Sequence, residues 1–423
     1  MILHKKEEMS TFHEYIERHE RKLVHSLQDM VRVPTVNPPG DRYREMVDLL
    51  QARCRELEMK AKVHRVPDER VKKVVGSADF PRYNLVARWD VGAEKTVHFN
   101  GHYDVVPAAG KWRYGDPFRP EVSHGMLYGR GSGDMKGSIA ALLMAVEALQ
   151  QSGCEPAVNV ECSFTADEET GGELGAGYVV REGLVDADYA VVCEGAAGLQ
   201  LGCGHNGVLW LEVEIQGKPA HASRPEDGIN AFERMVALVH GLQKFKEGLA
   251  VPSRRFRDFN GQLRSPTVNI GGVFGGGSGD KVNTVPARAV FSIDRRIVPG
   301  ETLRQVEGEL RQEIEKIARA QGIACKVQSP LRISPCVVEP TQPLPRAFAG
   351  AVQAVRRGPA GFRVTTGFTD LHYFVEEEGL PGVGYGVKGE QAHGVDERLR
   401  VHDLVQTART YAEFMLRGVE GGE

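Results

Sequence analysis

The feature that most limits the fold of this chain is the alternation of strand-like and helix-like segments in its first half. The strand-like segments are rich in β-branched and aromatic residues: NLVARWD (84–90), TVHFNGH (96–102), VNVECSFTA (158–166) and YAVVCEG (189–195). Longer helix-like segments lie between them at 136–153 and 173–183. Strands separated by helices form βαβ units, so the sequence predicts an α/β domain with a mostly parallel sheet covered on both faces.

The pattern changes at about residue 205 to the order β-α-β-β-α-β. The strand-like segments of this part are 208–217, 266–276, 287–297 and 324–334, and the helix-like segments are 227–245 and 301–322. This order predicts a ferredoxin-like α+β domain with one antiparallel sheet and two helices. The segment EPTQPLP (339–345) is interpreted as a return linker, and GVGYGV (382–387) as part of the first domain. We therefore predict a discontinuous domain, 1–205 and 336–423, with 206–335 inserted into it; a chain of 423 residues fits two domains.

Helices are also predicted before the first strand, over 10–33 and 42–60, separated by PTVNPPG (34–40). The N-terminus lacks the apolar core of a signal peptide, and the longest apolar run, 139–149, is too short to span a bilayer. The formal net charge of −4 gives no reason to expect nucleic acid or an anionic membrane as a partner. The seven cysteines are odd in number and have no C-x-x-C spacing, which favours a reduced, cytoplasmic protein.

The glycine-rich loop LYGRGSGDMKGSIAALL (127–143) resembles a phosphate-binding loop at first sight. In a P-loop the lysine directly follows the last glycine, whereas here Lys136 precedes Gly137. The dinucleotide pattern G-x-G-x-x-G is broken because its third position is Asp134, and a carboxylate there would repel phosphate. Nucleotide binding is therefore disfavoured, and Asp134 needs another explanation.

Acidic residues and a histidine follow the predicted strands at several points. They are His102, Asp104, Glu168, Glu169 and Glu194, and Asp134 joins them from the glycine loop. Ligands of open α/β sheets bind outside the carboxyl ends of the strands, so we expect these side chains at one rim. Clustered carboxylates repel each other unless a cation lies between them. The pattern therefore favours a site for one or two divalent metal ions.

Each of these residues also has a simpler explanation when it is taken alone. A histidine at a strand end is often only a hydrogen-bonding residue, and DEE (167–169) is a common helix start because acids favour that end. Asp134 could cap the helix that follows it. Glu194 is the hardest to explain in this way, because it follows the apolar run AVVC, where an unpaired carboxylate would be costly.

Several longer motifs carry a resemblance to a known family. They are GHYDVVP (101–107), GRGSGDMKG (129–137), DEETGG (167–172), GKPAHASRPEDGINA (217–231) and HGVDERL (393–399). In order and spacing the chain resembles the M20 metallopeptidase family. The resemblance implies a zinc-peptidase catalytic domain, an inserted lid or dimerisation domain, and two zinc ions per subunit, with cobalt as a substitute for zinc. It also implies a cis peptide bond after the aspartate of the glycine loop.

The resemblance assigns the metal ligands residue by residue. His102 and Glu194 would hold one zinc ion, and Glu169 and His393 would hold the other. Asp134 would bridge the two ions.

The resemblance also implies catalytic and substrate-binding roles. Asp104 would orient the imidazole of His102, and Glu168 would be the general base. His221, in the inserted domain, would stabilise the oxyanion, and in dimeric relatives this histidine comes from the neighbouring subunit. The residues matched to substrate contacts are Asn283, Arg296, Gly367, Thr369 and Asp370.

The expected activity is hydrolysis of the amide bond of an N-acyl amino acid, by a homodimer. Within the family, glutamate at the position of Glu194 goes with deacylases and carboxypeptidases, which moves the expectation towards a deacetylase or desuccinylase. The alternative enzyme is a dipeptidase or a glutamate-carboxypeptidase-like metallopeptidase. A rival from another class is a homologue that binds a ligand without catalysis. Loss of the glutamate base or of a metal ligand would support it, but the sequence keeps all of these residues.

Overall fold

The computed structural model describes residues 12–249, 251–277 and 279–419. They divide into two compact units. The first unit contains the residues up to Gly204, Val337–Thr365 and the residues from Thr369 onward. The second unit contains His205–Cys336 and Thr366–Phe368. Among the described residues, no helix combines the length and the apolar character that crossing a membrane requires.

The described residues form nineteen strands, whose lengths vary in both units. In chain order they are β1 (Lys60–Arg65), β2 (Tyr83–Trp89), β3 (Thr96–His102), β4 (Glu121–Ser123), β5 (Met126–Tyr128), β6 (Asn159–Thr165), β7 (Tyr189–Val192), β8 (Gln200–His205), β9 (Gly207–Gln216), β10 (Phe256–Arg257), β11 (Leu263–Arg264), β12 (Thr267–Gly276), β13 (Arg288–Ile297), β14 (Ala324–Ile333), β15 (Cys336–Val337), β16 (Gly361–Thr365), β17 (Gly382–Gly384), β18 (Gly389–Glu390) and β19 (Arg398–Arg400).

Helical residues 12–18 precede the first helix whose two ends are described. The helices are α1 (Glu20–Val31), α2 (Tyr43–Glu56), α3 (Asp68–Val75), α4 (Gly137–Gln151), α5 (Ala176–Arg181), α6 (Ala231–Gly248), α7 (Leu303–Ala320), α8 (Pro343–Arg356) and α9 (Val401–Arg417). Single helical turns occur at Glu168–Thr170, Pro225–Asp227, Pro252–Arg254 and Tyr373–Glu377. The segment Ser132–Lys136 before α4 is kinked, because Asp134 and Met135 have non-helical dihedral angles.

The first unit is built on a nine-stranded sheet in the order β1-β2-β6-β3-β7-β17-β8-β15, with β16 beside β8. The central neighbours β6, β3, β7 and β17 are parallel. The pairs β1–β2, β2–β6 and β17–β8 are antiparallel. The predicted α/β sheet is therefore confirmed, with its parallel strands in the centre and antiparallel strands on both sides. Strands β3 and β6 are buried at every position, as expected for strands covered on both faces.

Helix α4 is buried from Gly137 to Leu149, because its sequence is apolar on all sides. Its one charged residue, Glu147, forms ion pairs with Lys22 and Arg53. Those two cations make the buried carboxylate tolerable. Helix α4 packs against α9, which is also buried over most of its length.

The second unit is a four-stranded antiparallel sheet in the order β12-β13-β9-β14, with α6 and α7 packed against it. Strand β9 alternates between buried and more exposed residues, which is typical of a sheet with one covered face. The core contains Leu209, Leu211 and Val213 from β9 and Leu238 and Ile314 from the helices. The predicted ferredoxin-like order is confirmed.

Three details of the sequence interpretation are wrong. The segment 339–345 is not all linker, since α8 begins at Pro343, where the fixed φ of proline suits a first helical turn. The helix predicted over 227–245 begins only at Ala231, because the side chain of Asn230 caps it by accepting hydrogen bonds from the next turn. The helix predicted over 10–33 is interrupted at His19, and its first two residues lie outside the described ones.

Candidate metal centre

Three of the candidate residues come from neighbouring parallel strands. His102 is the last residue of β3, Glu168 follows β6, and Glu194 follows β7. The register pairs His102 with Thr165 of β6, and Asn100 with Val192 of β7. The carboxyl ends of the three strands therefore meet at one edge of the sheet, as the sequence predicts.

These three residues form a first group that we call site 1. His102, Glu168 and Glu194 each offer one ligand atom, and these atoms lie within 4.8 Å of one another. The His102 Nε2 atom lies 3.8 Å from Glu168 Oε2. His102 and Glu168 are buried, so the group is shielded from solvent.

A second group, which we call site 2, contains Asp134, Glu169 and His393. Their ligand atoms also lie within 4.8 Å of one another. His393 Nε2 is 3.0 Å from Glu169 Oε2 and 3.2 Å from Asp134 Oδ2. His393 comes from the loop between β18 and β19, far along the chain from the other two residues.

Asp134 connects the two groups. Its Oδ1 atom lies 3.2 Å from His102 Nε2, and its Oδ2 atom lies 3.2 Å from His393 Nε2. One carboxylate thus places one oxygen towards each histidine, which is the arrangement that a carboxylate bridging two cations needs. The peptide bond between Asp134 and Met135 is cis, as the family resemblance implies.

The electrostatics of the two groups fit bound cations. Burial and the neighbouring carboxylates raise the pKa of Glu168 and of Glu194 well above the usual range. Hydrogen bonds to Asp134 and Glu169 raise the pKa of His393 to about 10. The Oε1 atom of Glu194 is buried without a hydrogen-bond partner. An unpartnered buried carboxylate oxygen is costly, and a divalent cation would satisfy it.

Asp104 contacts His102 and Glu168 of site 1 and Glu169 of site 2. Its Oδ1 atom is 3.4 Å from His102 Nδ1, on the side of the ring that faces away from site 1. Its carboxylate also accepts hydrogen bonds from the backbone N–H groups of Glu168 and Glu169, each at 3.2 Å. Asp104 therefore fixes the ring of one candidate ligand and the backbone of the turn that carries two more.

Sequence reasoning missed Asn37, which holds Asp104 in place. The Asn37 Nδ2 atom donates to Asp104 Oδ2 at 2.9 Å, and also to Thr170 Oγ1 at 3.0 Å. In the sequence Asn37 stands in PTVNPPG, which indicated only a break between two helices. No pattern in that segment predicts the contact, because Asn37 and Asp104 are 67 residues apart.

Three of the predicted catalytic and substrate-binding residues lie in the second unit. His221 is exposed, and its Nδ1 atom accepts a hydrogen bond from the backbone N–H of Ser223 at 3.1 Å. Asn283 is exposed, and its carbonyl accepts from the N–H of Ala222, so it lies next to the segment of His221. Arg296, on β13, is bound by Asp294 through Nε and Nη2, at 2.8 and 2.9 Å.

The turn TGFTD spans the boundary of the two units. Gly367 is exposed and belongs to the second unit, whereas Thr369 and Asp370 are buried and belong to the first. The Thr369 Oγ1 atom accepts from the N–H of Leu371 and so stabilises the turn. Burial and the nearby carboxylate of Asp104 raise the pKa of Asp370 to about 7.

Comparison with known proteins identifies the class of this chain. Residues 98–417 match the model of peptidase family M20/M25/M40, which is more than half of the 423 residues. The chain belongs to this family of metallopeptidases and related hydrolases.

Relatives cover nearly the whole chain. An uncharacterized metallohydrolase of Methanocaldococcus jannaschii is 25% identical over 412 residues, covering 92% of this chain and 97% of the relative. A succinyl-diaminopimelate desuccinylase of Rhodospirillum centenum is 28% identical over 416 residues, covering 94% and 97%. Among solved structures, the di-peptidase Dug1p of Saccharomyces cerevisiae has a TM-score of 0.79 at 16% identity, covering 98% of this chain and 99% of its own. The metallo-carboxypeptidase Sso-CP2 of Sulfolobus solfataricus has a TM-score of 0.76 at 19% identity, covering 93% and 98%.

Proposed function

We propose that this protein is a dinuclear zinc amidohydrolase that removes the acyl group from an N-acyl amino acid. The observation that carries the proposal is the position of Asp134 between His102 and His393, with one carboxylate oxygen 3.2 Å from each. Mixed imidazole and carboxylate ligands suit zinc. His102 and Glu194 would hold one ion, Glu169 and His393 would hold the other, and Asp134 would bridge them.

Bound zinc ions would polarise the amide carbonyl and make a water molecule acidic. Glu168 is proposed as the general base, because its carboxylate lies in site 1 while Asp104 holds its backbone N–H. The Glu168 carboxylate takes a proton from the attacking water and delivers it to the amide nitrogen as the carbon–nitrogen bond breaks. Asp104 keeps the ring of His102 in the orientation from which Nε2 faces Asp134.

His221 is proposed as the donor that stabilises negative charge on the carbonyl oxygen. Since its Nδ1 accepts the N–H of Ser223, the neutral ring carries its proton on Nε2 and can donate from there. Arg296 and Asn283 are proposed to bind the substrate carboxylate. Because Asp294 fixes the Arg296 guanidinium through Nε and Nη2, the Nη1 edge remains for a second carboxylate.

The deacylase assignment rests on two supports. By the family resemblance, Glu194 favours a deacylase or carboxypeptidase over an aminopeptidase, and relatives such as the Rhodospirillum centenum protein are named desuccinylases. Gly367 and Thr369 are proposed to shape the substrate-facing turn. A dipeptidase or carboxypeptidase is the second candidate, favoured by the names of the structures with the same fold.

A homodimer is proposed on the basis of the second unit. Strand β12 is an edge of the four-stranded sheet, and Val273 and Phe274 on it are each 72% exposed. Helix α6 adds the exposed Phe232 and Val236. An unpaired edge with large apolar side chains is a template for pairing with another chain, and a second copy offers the same edge.

None of the seven cysteines, all of which lie among the described residues, forms a disulfide bond, which fits the reducing cytoplasm proposed as the location of this protein. The test of the activity is a hydrolysis screen of N-acetyl amino acids, N-succinyl amino acids and dipeptides, each with added zinc or cobalt. We expect the protein to hydrolyse N-acyl amino acids. A chelator should abolish this turnover, and added metal should restore it. Turnover of dipeptides alone would favour the second candidate, and turnover that survives in metal-free protein would contradict both.

A further inference from the structure

A buried ion pair outside the proposed ligand set links the two loops that carry Asp134 and His393. Arg130 is 2% exposed and Glu397 is 1% exposed, and Arg130 Nη1 donates to Glu397 Oε2 at 2.6 Å. We propose that the Arg130–Glu397 pair positions Asp134 and His393 and thereby sets the affinity of site 2 for its metal ion. This inference rests on the proposed function and assigns a positioning role to two residues that do not bind metal themselves.

The Glu397 carboxylate holds the backbone of the glycine loop. Its Oε2 atom accepts from the N–H of Gly131 at 3.0 Å, and its Oε1 atom accepts from Gly133 at 2.9 Å and Asp134 at 3.1 Å. A Cβ atom at position 133 would lie 2.8 Å from the Gly389 Cα atom, so only glycine fits at this position of the loop. One carboxylate therefore fixes the backbone of the residue that bridges the two groups.

Strand pairing explains how Glu397 reaches this loop. Strand β19 begins directly after Glu397, and it pairs with β5, which ends directly before the glycine loop. Arg398 lies opposite Tyr128, and the N–H of Gly129 donates to the Glu397 carbonyl at 2.9 Å. The pairing of β19 with β5 therefore places the Glu397 carboxylate next to the glycine loop.

Arg130 extends the contact to the loop of His393. Its Nη2 atom donates to the carbonyl of Gly394 at 3.1 Å. His393 and Asp396 both have positive φ, at 62° and 60°, a conformation that non-glycine residues rarely adopt without support. The N–H of Arg113 donates to Asp396 Oδ1 at 2.7 Å, so the loop is fixed at both ends.

The consequence is greater for site 2 than for site 1. Asp134 would bridge both ions, so a shift of the glycine loop affects both, but His393 would hold only the ion of site 2. The other proposed ligands of site 1, His102 and Glu194, come from strand ends that the Arg130–Glu397 pair does not hold. In Glu397→Gln the amide oxygen could still accept from one side, but the amide N–H₂ would then face the N–H of Gly131 and the guanidinium of Arg130. Neither of these groups can accept a hydrogen bond from it. The loop should therefore shift, and the ligand atoms of site 2 with it.

The test is calorimetric titration of metal-free protein with zinc or cobalt, for the parent, Glu397→Gln and the control Glu147→Gln. Glu147 is also a buried carboxylate in ion pairs, but it lies in the C-terminal part of α4 and belongs to neither metal group. We expect Glu397→Gln to bind one equivalent about 10–100-fold more weakly than the parent, the usual cost of removing a partner of a metal ligand, and the other equivalent with a smaller loss. Glu147→Gln should bind both as the parent does.

Two parent-like affinities in Glu397→Gln would overturn the inference, and so would an equal loss at both sites. A parent that binds fewer than two ions would instead refute the proposed function itself. If Glu397→Gln does not fold, Arg130→Lys decides the matter. Lysine keeps the charge beside Glu397 but cannot also reach the Gly394 carbonyl, so the second equivalent should again be weakened; an unchanged second affinity would overturn the inference.

Discussion

Glu168 and Glu169 are neighbours in sequence for which the account predicts opposite behaviour. The Glu169 Oε2 atom lies 3.0 Å from His393 Nε2, in site 2, where a carboxylate would bind metal. Glu168 is buried in site 1, with its Oε2 atom 3.8 Å from His102 Nε2. Because Glu168 is proposed as the general base and Glu169 as a metal ligand, we expect Glu168→Gln to keep both metal ions and lose turnover. Glu169→Gln should instead lose affinity for one ion.

The expected loss in Glu168→Gln follows from its proton transfer. General acid–base catalysis is typically worth about 10²–10⁴ in rate, which corresponds to about 2.7–5.4 kcal/mol in the activation free energy at about 1.4 kcal/mol for each factor of ten. Glutamine keeps the shape and the backbone contacts with Asp104, so the structural cost should be small. In Glu169→Gln the activity should return partly when zinc is added in excess, because the base is still present.

The assay combines metal stoichiometry with kcat for both variants and the parent, measured side by side with and without excess zinc. If Glu168→Gln loses an ion while Glu169→Gln keeps both and is inactive, the two roles are exchanged. If Glu168→Gln is nearly as active as the parent, the general-base mechanism is wrong.

Three further predictions concern other parts of the chain. His221→Ala should lower kcat by about 10²–10³ at unchanged metal content, the cost of one lost oxyanion donor, and a parent-like kcat would contradict its role. Light scattering should show that the parent is a dimer and that Phe274→Glu is a monomer. A monomeric parent would rule out pairing through the β12 edge. Burial alone would raise the pKa of Glu147, but Lys22 and Arg53 hold it below its ordinary value. The carboxylate therefore stabilises the fold above the unfolded pKa and less so as the pH falls, so Glu147→Gln should flatten the acid side of a plot of Tm against pH.

The strand ends account for most of what the sequence reveals about the site. His102, Glu168 and Glu194 follow segments whose composition already indicates buried strands, and the carboxyl ends of neighbouring parallel strands must meet at one edge. Asp134 could be singled out because it breaks a glycine pattern that would otherwise bind phosphate. His393, in contrast, was assigned from the family motif alone.

The supporting contacts could not be read in the same way. Glu397 and Asp134 are 263 residues apart, and the contact depends on the register between β5 and β19. Both strands have three residues, too few for a periodic pattern. Strand β8, QLGCGH, was missed because its two glycines weaken the strand signal. The register between strands that are distant in sequence depends on tertiary packing, so it cannot be predicted from the local composition of either strand.

The bridging role of Asp134 is tested most directly by the metal content of the purified protein, measured beside that of Asp134→Ala. Because one carboxylate faces both histidines, the parent should hold two zinc equivalents per chain, and Asp134→Ala should lose activity together with much of both. Chelation of the parent should abolish hydrolysis, and zinc or cobalt should restore it. Full activity in a demonstrably metal-free parent, or two tightly held ions in Asp134→Ala, would contradict the proposed bridging role and the dinuclear mechanism.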